Sequence, residues 1–424
     1  MSDERWSYRR SSFIVHYSSF GMFSRNTLQS MAILLVLSLA LGQGLLALVC
    51  ALLLLTAGLA RLWDRWSLAR VDYERELSHP RAFPDDEVEL AIRIANRKPL
   101  PLARLDVRDY IPAGLEVIGH DLRPGNDGRQ LLHRSTSLRW YEALTWRYRV
   151  RCLARGAYRF GPAQLESGDP FGFYRSSRDI PQRTSLVVYP RLLPLDELGL
   201  PPRHPLGDLR ARQLIRDPLR TIGVRDYHPD DPLKDIHWNA TARAGTLQTR
   251  IYEPTTAHEV AIFLDLDTFE RYWEGIDEDQ VERLISAAAT VVRAGLEDGY
   301  AVGLYANGAP AEHDQLPRLP PGRSPAQLEQ IMETLARLTP ISITPMARLL
   351  RVAGGGLPWG ATLLLISAIK PEATRAALLR LRERGRDVAW LYLGDDQPPQ
   401  VPGLLVRHAP SPGDWRVRPP ATPP

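Results

Sequence analysis

The sequence predicts a three-part fold: an N-terminal transmembrane hairpin, an all-β sandwich, and a C-terminal α/β unit built on a doubly wound sheet. Three observations predict it. No charged residue occurs from Asn26 to Ala60. Beyond Ser67 the apolar residues recur with period two, the mark of half-buried strands. From Glu259 onward, short apolar runs alternate with amphipathic helical stretches, the pattern of a parallel sheet covered on both faces.

The apolar stretch comes first. Met31–Ala60 holds 16 Leu, Ile or Val residues, which favour insertion into a bilayer by about 6 kcal/mol at a few tenths of a kcal/mol each. It is longer than the apolar core of a secretory signal and starts further into the chain. As one helix the uncharged stretch would be about 52 Å long, against a hydrocarbon core of about 30 Å. Gly42-Gln43-Gly44 lies near its middle and can turn the chain, so residues 27–62 are expected to form a hairpin of two arms of about 15 residues. Arg5, Arg9, Arg10 and Arg25 precede the stretch, and Arg61, Arg65 and Arg70 follow it. Positive charge at both flanks fits a hairpin with both ends in the cytoplasm, including a short cytoplasmic segment over residues 1–26. Trp63 and Trp66 suit the membrane interface.

Residues 67–190 form the expected sandwich. Val88, Leu90, Ile92 and Ile94 alternate with polar or small residues, as do Leu144, Trp146, Tyr148 and Val150. Pro and Gly fall between such runs, at Pro99, Pro101, Pro112, Gly114, Pro124, Gly125, Gly156, Gly161 and Pro162. Short strands at this spacing indicate a sandwich. Gly168–Phe173 reads as a turn, and Leu186–Tyr189 as a last buried strand.

Residues 191–258 read as a linker, and residues 259–409 as the α/β unit. Strands are expected at Val260–Leu266, Ala301–Tyr305, Thr362–Ser367 and Val388–Leu393. Helices are expected over Val281–Leu296, from Ser324-Pro325 to Leu338, from Thr344-Pro345 to Val352, and over Pro371–Arg384. Such sheets bind ligands at the carboxyl ends of their strands, which here carry Asp265, Asp267, Thr268, Asn307, Ser367 and Ala368. No Gly-rich phosphate fingerprint follows the first strand, which argues against a dinucleotide. Residues 410–424 form a Pro-rich tail.

Composition narrows the function classes. The 424 residues are 44% apolar and 24% charged, with a formal net charge of +4, ordinary for folded protein. The arginines are scattered among acids, without the basic stripe and interleaved aromatics of a nucleic-acid surface. Cys50 and Cys152 are the only cysteines, too far apart to suggest one ligand site or a disulfide framework.

The most distinctive segment is Arg225-Asp226-Tyr227-His228-Pro229-Asp230-Asp231-Pro232-Leu233-Lys234-Asp235-Ile236-His237-Trp238-Asn239-Ala240-Thr241-Ala242-Arg243. It resembles the signature of a bacterial family catalogued as domain of unknown function fifty-eight, whose pattern is Arg-x-Tyr, then Gly-Asp-x-x-Arg-x-Ile-x-Trp, then Ala-Arg. Arg225, Tyr227, Asp231, Ile236, Trp238, Ala242 and Arg243 match. Asp230 stands where Gly is usual, and Lys234 where Arg is usual, which keeps the charge and loses the planar fork. Asp169-Pro170-Phe171-Gly172 and Val188-Tyr189-Pro190 also look like the family. The resemblance implies a membrane protein whose α/β unit is of the von Willebrand factor A type, often linked to a cytosolic AAA ATPase of the MoxR class.

Domains of that type commonly hold a metal through Asp-x-Ser-x-Ser with a distant Thr and Asp. Here the triplet reads Asp265-x-Asp267-x-Phe269, so only a degenerate remnant, Asp265 and Asp267, is expected and no working metal site. No cofactor is expected. Within the signature, Asp231, Asp235 and His237 include an acid and a possible base, with Asp235 and His237 read as alternating on an extended strand, but no hydroxyl nucleophile accompanies them. The structural expectation is a loop pinned by ion pairs with Trp238 buried against the sheet. The function expected is a non-catalytic, membrane-anchored scaffold that docks a protein partner. A metal-dependent adhesion module and a cell-envelope enzyme are the alternatives.

Overall fold

The computed structural model describes residues 15–18, 25–120, 122–124, 129–201, 206, 216–229, 231–254, 259–311, 315–357 and 360–410. Arg5, Arg9, Arg10, Asp230 and the Pro-rich tail beyond residue 410 lie outside the described residues. The chain divides into two units, Met1–Val188 and Tyr189–Pro424.

The first unit begins with strand β1 (Val15–Ser18), followed by helices α1 (Arg25–Ala40) and α2 (Gly44–Ser67). Gly42 has φ +69°, a left-handed turn that glycine adopts without strain. The two helices pack together. Apart from Asp64, the buried side chains are small, Ser38 on α1 and Ala47, Cys50, Ala57, Ala60 and Ser67 on α2, while most of the leucines face outward. Small residues inward and leucines outward is the reverse of a soluble helix pair and is how helices pack in lipid. The arms are unequal. Of the described helices only α2, with 24 residues, is long and apolar enough to cross a membrane. It runs to Ser67, five residues beyond the end expected from the sequence.

The rest of the unit is strands: β2 (Val71–Leu77), β3 (Arg81–Ala82), β4 (Glu87–Asn96), β5 (Leu102–Pro112), β6 (Leu115–Val117), β7 (Arg123–Pro124), β8 (Arg129–Leu138), β9 (Ala143–Cys152), β10 (Gly156–Phe160), β11 (Ala163–Gly168), β12 (Arg175–Ile180) and β13 (Thr184–Val188). They form a four-stranded sheet in the order β2-β4-β9-β6, a six-stranded sheet in the order β1-β12-β11-β5-β8-β7, and a small sheet β10-β13-β3. The two alternating runs seen in the sequence pair directly, Leu90 opposite Tyr148 and Ile92 opposite Trp146. Val88, Leu90, Ile92 and Ile94 share one core with Leu105, Val107 and Ile111 of β5 and Leu165 of β11. The outward positions of β4 and β9 carry opposite charges in register, Glu89 opposite Arg149 and Glu87 opposite Arg151. Inside the core Arg75 and Asp109 form a fully buried ion pair, which Tyr73 joins by donating its hydroxyl to Asp109 at 2.6 Å.

The second unit opens with residues expected to be a linker. That expectation is corrected: Leu193, Leu198, Leu200 and Leu206 lie in the core of the unit, and the Leu193 amide donates to Thr290 Oγ1 at 2.8 Å. Strand β14 (Arg216–Asp226) then pairs antiparallel with β15 (Gln248–Pro254), and helix α3 (Trp238–Ala244) lies between them in sequence. There follow β16 (Glu259–Leu264), α4 (Glu278–Glu297), β17 (Ala301–Ala306), β18 (Gly308–Pro310), β19 (Arg318–Gly322), α5 (Pro325–Arg337), β20 (Leu338–Ser342), α6 (Met346–Ala353), β21 (Thr362–Ser367), α7 (Glu372–Glu383), β22 (Val388–Tyr392) and β23 (Leu405–His408).

The main sheet has the order β19-β17-β16-β21-β22-β23. All its pairs are parallel except that of β19 with β17. Successive side chains of each strand point to opposite faces. Val260, Ile262 and Leu264 pack with α4 and α5, while Ala261 and Phe263 pack with α6 and α7. Helices α5, α6 and α7 start within a residue or two of where the sequence placed them, while α4 starts at Glu278, three residues before the expected Val281. Ser324 Oγ accepts from the Gln327 amide, with Pro325 in the first turn, and Asp277 Oδ1 accepts from the Gln280 amide. The edge strand β19, Arg-Leu-Pro-Pro-Gly, was not expected, because a Pro pair argues against a strand everywhere except at a sheet edge.

Candidate functional site

The signature segment occupies the turn between β14 and β15, and its backbone is fixed residue by residue. Asp226 lies opposite Gln248, the Tyr227 amide donates to Leu247 O at 2.9 Å, and the His237 amide donates to Gln248 O at 2.8 Å. Ile236 is buried and bridges to Thr249. Between these clamps Asp231 holds the loop. Its Oδ1 accepts from Arg225 Nη2 at 2.6 Å and its Oδ2 from the His228 amide at 3.0 Å. The His228 amide and the Arg225 guanidinium hold the Asp231 carboxyl below the usual carboxylate range. Leu233–Asp235 make one turn of 3-10 helix, and α3 begins at Trp238.

Two sequence expectations are corrected here. Asp235 and His237 do not alternate along a strand: Asp235 closes the 3-10 turn and His237 is the N-cap of α3. His237 Nδ1 accepts from the Ala240 amide at 3.0 Å, so that nitrogen is already in use as the helix cap. Trp238 is not buried against a sheet. It is 66% exposed, and Leu233 is 72% exposed. Both sit on a segment too well clamped to be a frayed loop. Trp238 and Ala242 are four residues apart and lie on one face of α3. Lys234, Ala242 and Arg243 are exposed, and Tyr227 is half-buried. The structure therefore brings Arg225 and Asp231 together, uses Ile236 as the buried anchor, and turns Trp238 and its neighbours outward.

A second constellation lies at the carboxyl ends of β16 and β17. Asn307 donates from Nδ2 to Asp265 Oδ1 at 2.7 Å and to Asp267 Oδ2 at 3.3 Å, while its Oδ1 accepts from the Leu266 amide at 2.8 Å. That last bond fixes which way the amide points. Ser342 donates its hydroxyl to Asp267 Oδ1. Burial, with the neighbouring Asp267 charge, pushes the Asp265 carboxyl well above its ordinary range. Thr268 donates no ligand to this group, since its Oγ1 accepts from the Asp277 amide. Ser367 is turned elsewhere, donating to Ile369 O and accepting from Trp390 Nε1.

These residues do not fit a divalent cation. Two donors, an amide N–H and a hydroxyl, are aimed at the carboxylates where a hard ion such as Mg²⁺ would need oxygen lone pairs. Sequence reading marked Asp265, Asp267 and Asn307 but missed Ser342, which lies 75 residues from Asp267 in the chain.

The raised Asp265 carboxyl has a thermodynamic consequence. The unfolded chain loses this proton above about pH 4 and the folded chain holds it to higher pH, so this residue lowers stability as pH rises from there towards the folded pKa. Asp265→Asn keeps the acceptor and removes the titration. Its melting temperature is expected to equal or exceed the parent's at neutral pH, and adding Mg²⁺ is expected to shift neither protein. A melting temperature that rises with Mg²⁺ in the parent and not in Asp265→Asn would contradict this.

Comparison with known proteins places the second unit. A family described as "Protein of unknown function DUF58" matches residues 223–393. The chain is 23% identical over 257 residues to "Uncharacterized protein YeaD" of Bacillus subtilis (strain 168), covering 60% of this chain and 59% of that protein. The chain thus spans under two thirds of that relative's length. Among solved structures, a non-cellulosomal cohesin from Archaeoglobus fulgidus has a TM-score of 0.20 at 12% identity, covering 28% of this chain and 91% of its own. The cupredoxin domain of amoB from Nitrosocaldus yellowstonii has a TM-score of 0.18 at 13% identity, covering 29% and 88%. Likeness at this level carries no functional information.

Proposed function

Because the chain belongs to the DUF58 family through residues 223–393, we propose that it is a membrane-anchored scaffold without catalytic activity, whose second unit docks a protein partner through the signature segment. The observation that carries this reading is the 66% exposure of Trp238 on a clamped backbone. Tryptophan dominates binding hot spots because it offers a large rigid surface at small entropic cost, and an exposed tryptophan held in place has no structural role to explain it. The hydrogen bonds of Asp231 and His237 go to the motif itself, so both side chains serve its fold. We read the doubly wound sheet as a von Willebrand factor A-type domain, and a MoxR-class AAA ATPase as the partner to test first.

The anchor is α2, with α1 folded back on it as a membrane hairpin. At 16 residues α1 is about 24 Å long, short of a full hydrocarbon core unless the bilayer thins around it. Strand β1 precedes the hairpin and pairs with β12, which follows it, and this supports entry and exit on one side. Arginines at both flanks favour the cytoplasmic side. The test is a pair of topology reporters, one active only inside the cell and one only outside, fused at the C-terminus and within Gly42–Gly44. The expected result is a cytoplasmic C-terminus. An exported C-terminus would exclude a cytosolic ATPase as direct partner.

A further inference from the structure

We propose that the helix-proximal end of the β-rich unit is a lipid-binding surface that rests in the headgroup layer of an anionic membrane. The inference rests on the reading of α2 as a membrane anchor. The exposed apolar residues of α2 run from Leu45 through Leu62 to Trp66. Twenty-one steps of 1.5 Å put Leu45 and Trp66 about 32 Å apart, which is the thickness of the hydrocarbon core. Trp66 then marks the interface, where tryptophan is favoured.

The β-rich unit starts at that level and is tied to it. Lys98 Nζ donates to Ser67 O at 2.5 Å and to Ala69 O at 2.9 Å. Arg178 Nη1 donates to Val71 O at 3.1 Å, and Ser176 Oγ donates to Asp64 Oδ2 at 2.8 Å. These bonds satisfy carbonyls at the helix end and fix the angle between helix and strands. Two loops are held beside the same turn. The Tyr141 amide donates to Lys98 O at 3.3 Å, and Asn96 Nδ2 donates to Arg139 O at 2.8 Å. Asp169 accepts from the Phe171 and Tyr174 amides, just before β12 carries Ser176 to Asp64.

From these loops Trp140, Tyr141 and Phe171 project, 65%, 70% and 61% exposed. They are three of the four exposed large apolar residues among the described residues of 68–188. The fourth, Phe83, lies at the other end of the strands. A soluble surface has no reason to gather its aromatics at one end. Arg61, Arg65, Arg70, Arg97, Arg139 and Arg175 are exposed at the same end. The acids there are engaged: Glu142 accepts from the Arg139 amide, Asp72 pairs with Arg97, Glu166 pairs with Arg175, and Asp64 and Asp169 are buried, so Arg61, Arg65, Arg70 and Arg139 carry the headgroup attraction. Aromatics with arginines, continuous with a membrane helix, match an interface of apolar boundary and anionic headgroups. The β-rich unit would then stand at a fixed tilt on the bilayer rather than swing from its anchor.

The test uses the full chain in vesicles of phosphatidylcholine, with and without phosphatidylglycerol. An environment-sensitive fluorophore is attached to Tyr141→Cys, to Phe171→Cys, and to His79→Cys at the far end of the strands. The unsubstituted protein, whose two cysteines are buried, is the labelling blank. The expected result is blue-shifted emission at positions 141 and 171, quenched by headgroup nitroxide lipids and enhanced by phosphatidylglycerol, with neither effect at 79. Water-like emission at all three positions, in protein that floats with the vesicles, overturns the proposal and leaves the anchor intact. Protein that does not float with the vesicles overturns the anchor reading and the proposal together. Shifts at 141 and 171 that ignore phosphatidylglycerol overturn the arginine contribution.

Discussion

An Asp109→Ala variant is expected to lose the β-rich unit's cooperative fold. Asp109 accepts from Tyr73 Oη at 2.6 Å, from Arg75 Nε at 2.9 Å and from Arg75 Nη2 at 2.5 Å. Both ionic side chains have no solvent exposure. Removing the carboxylate leaves a guanidinium in the core whose remaining acceptors are the Tyr73 hydroxyl and Gln182 O, at 3.3 and 3.5 Å. Breaking a buried pair from one side costs about 3–5 kcal/mol, a large part of the roughly 5–15 kcal/mol that holds a domain folded. Burial raises the Asp109 carboxyl while Arg75 opposes it, so the pair survives only as a pair. Replacing both partners, Arg75→Met with Asp109→Leu, is therefore expected to be much milder than Asp109→Ala alone. Thermal melting of the detergent-solubilised protein, followed by circular dichroism, distinguishes the three. Equal losses in the single and double variants would show that the network holds no buried charge.

Trp238→Ala is expected to do the opposite: little to stability and much to partner capture. A side chain 66% exposed contributes within about 0.5 kcal/mol to folding. As a hot spot it contributes about 2 kcal/mol or more to binding, roughly a 30-fold loss of affinity. Ile236→Ala is the contrasting variant. Ile236 is 4% exposed, and its loss removes the buried anchor of the segment, so melting and binding are expected to fall together. A Trp238→Ala protein that binds its partner unchanged would move the docking surface elsewhere on the unit.

Much of this was legible in the sequence because it depends on local period. The alternation at Val88–Ile94 and Leu144–Val150 specified two half-buried strands, and they are neighbours in one sheet. Apolar runs separated by amphipathic helices specified a parallel sheet covered on both faces, and the order of strands and helices followed. Other features were not legible. Arg75 and Asp109 are 34 residues apart and each reads as a surface charge, because only the pairing of β5 against the opposite sheet brings them together. The leucines at 193, 198, 200 and 206 have no clear period, so a core segment reads as a linker. Trp238 looks like a residue to bury, since aromatic side chains usually are. Its exposure follows from Ile236 facing inward, followed by a helix whose N-cap is a histidine, and neither pattern names a direction for the next side chain. For the apolar N-terminal stretch, uniform hydrophobicity sets the total length while the break at Gly42 sets unequal arms, and composition alone cannot divide them.

Site-specific photo-crosslinking in intact cells tests whether the signature segment docks a protein partner. A photoreactive amino acid replaces Trp238, and in a second strain it replaces Trp273, an exposed tryptophan of the same unit that lies outside the signature segment. A crosslinked adduct is expected at position 238, identified by mass spectrometry as a MoxR-class ATPase, and none with that protein at 273. A position 238 that yields no protein adduct, in cells where the anchored protein is present at its normal level, would contradict docking through this segment.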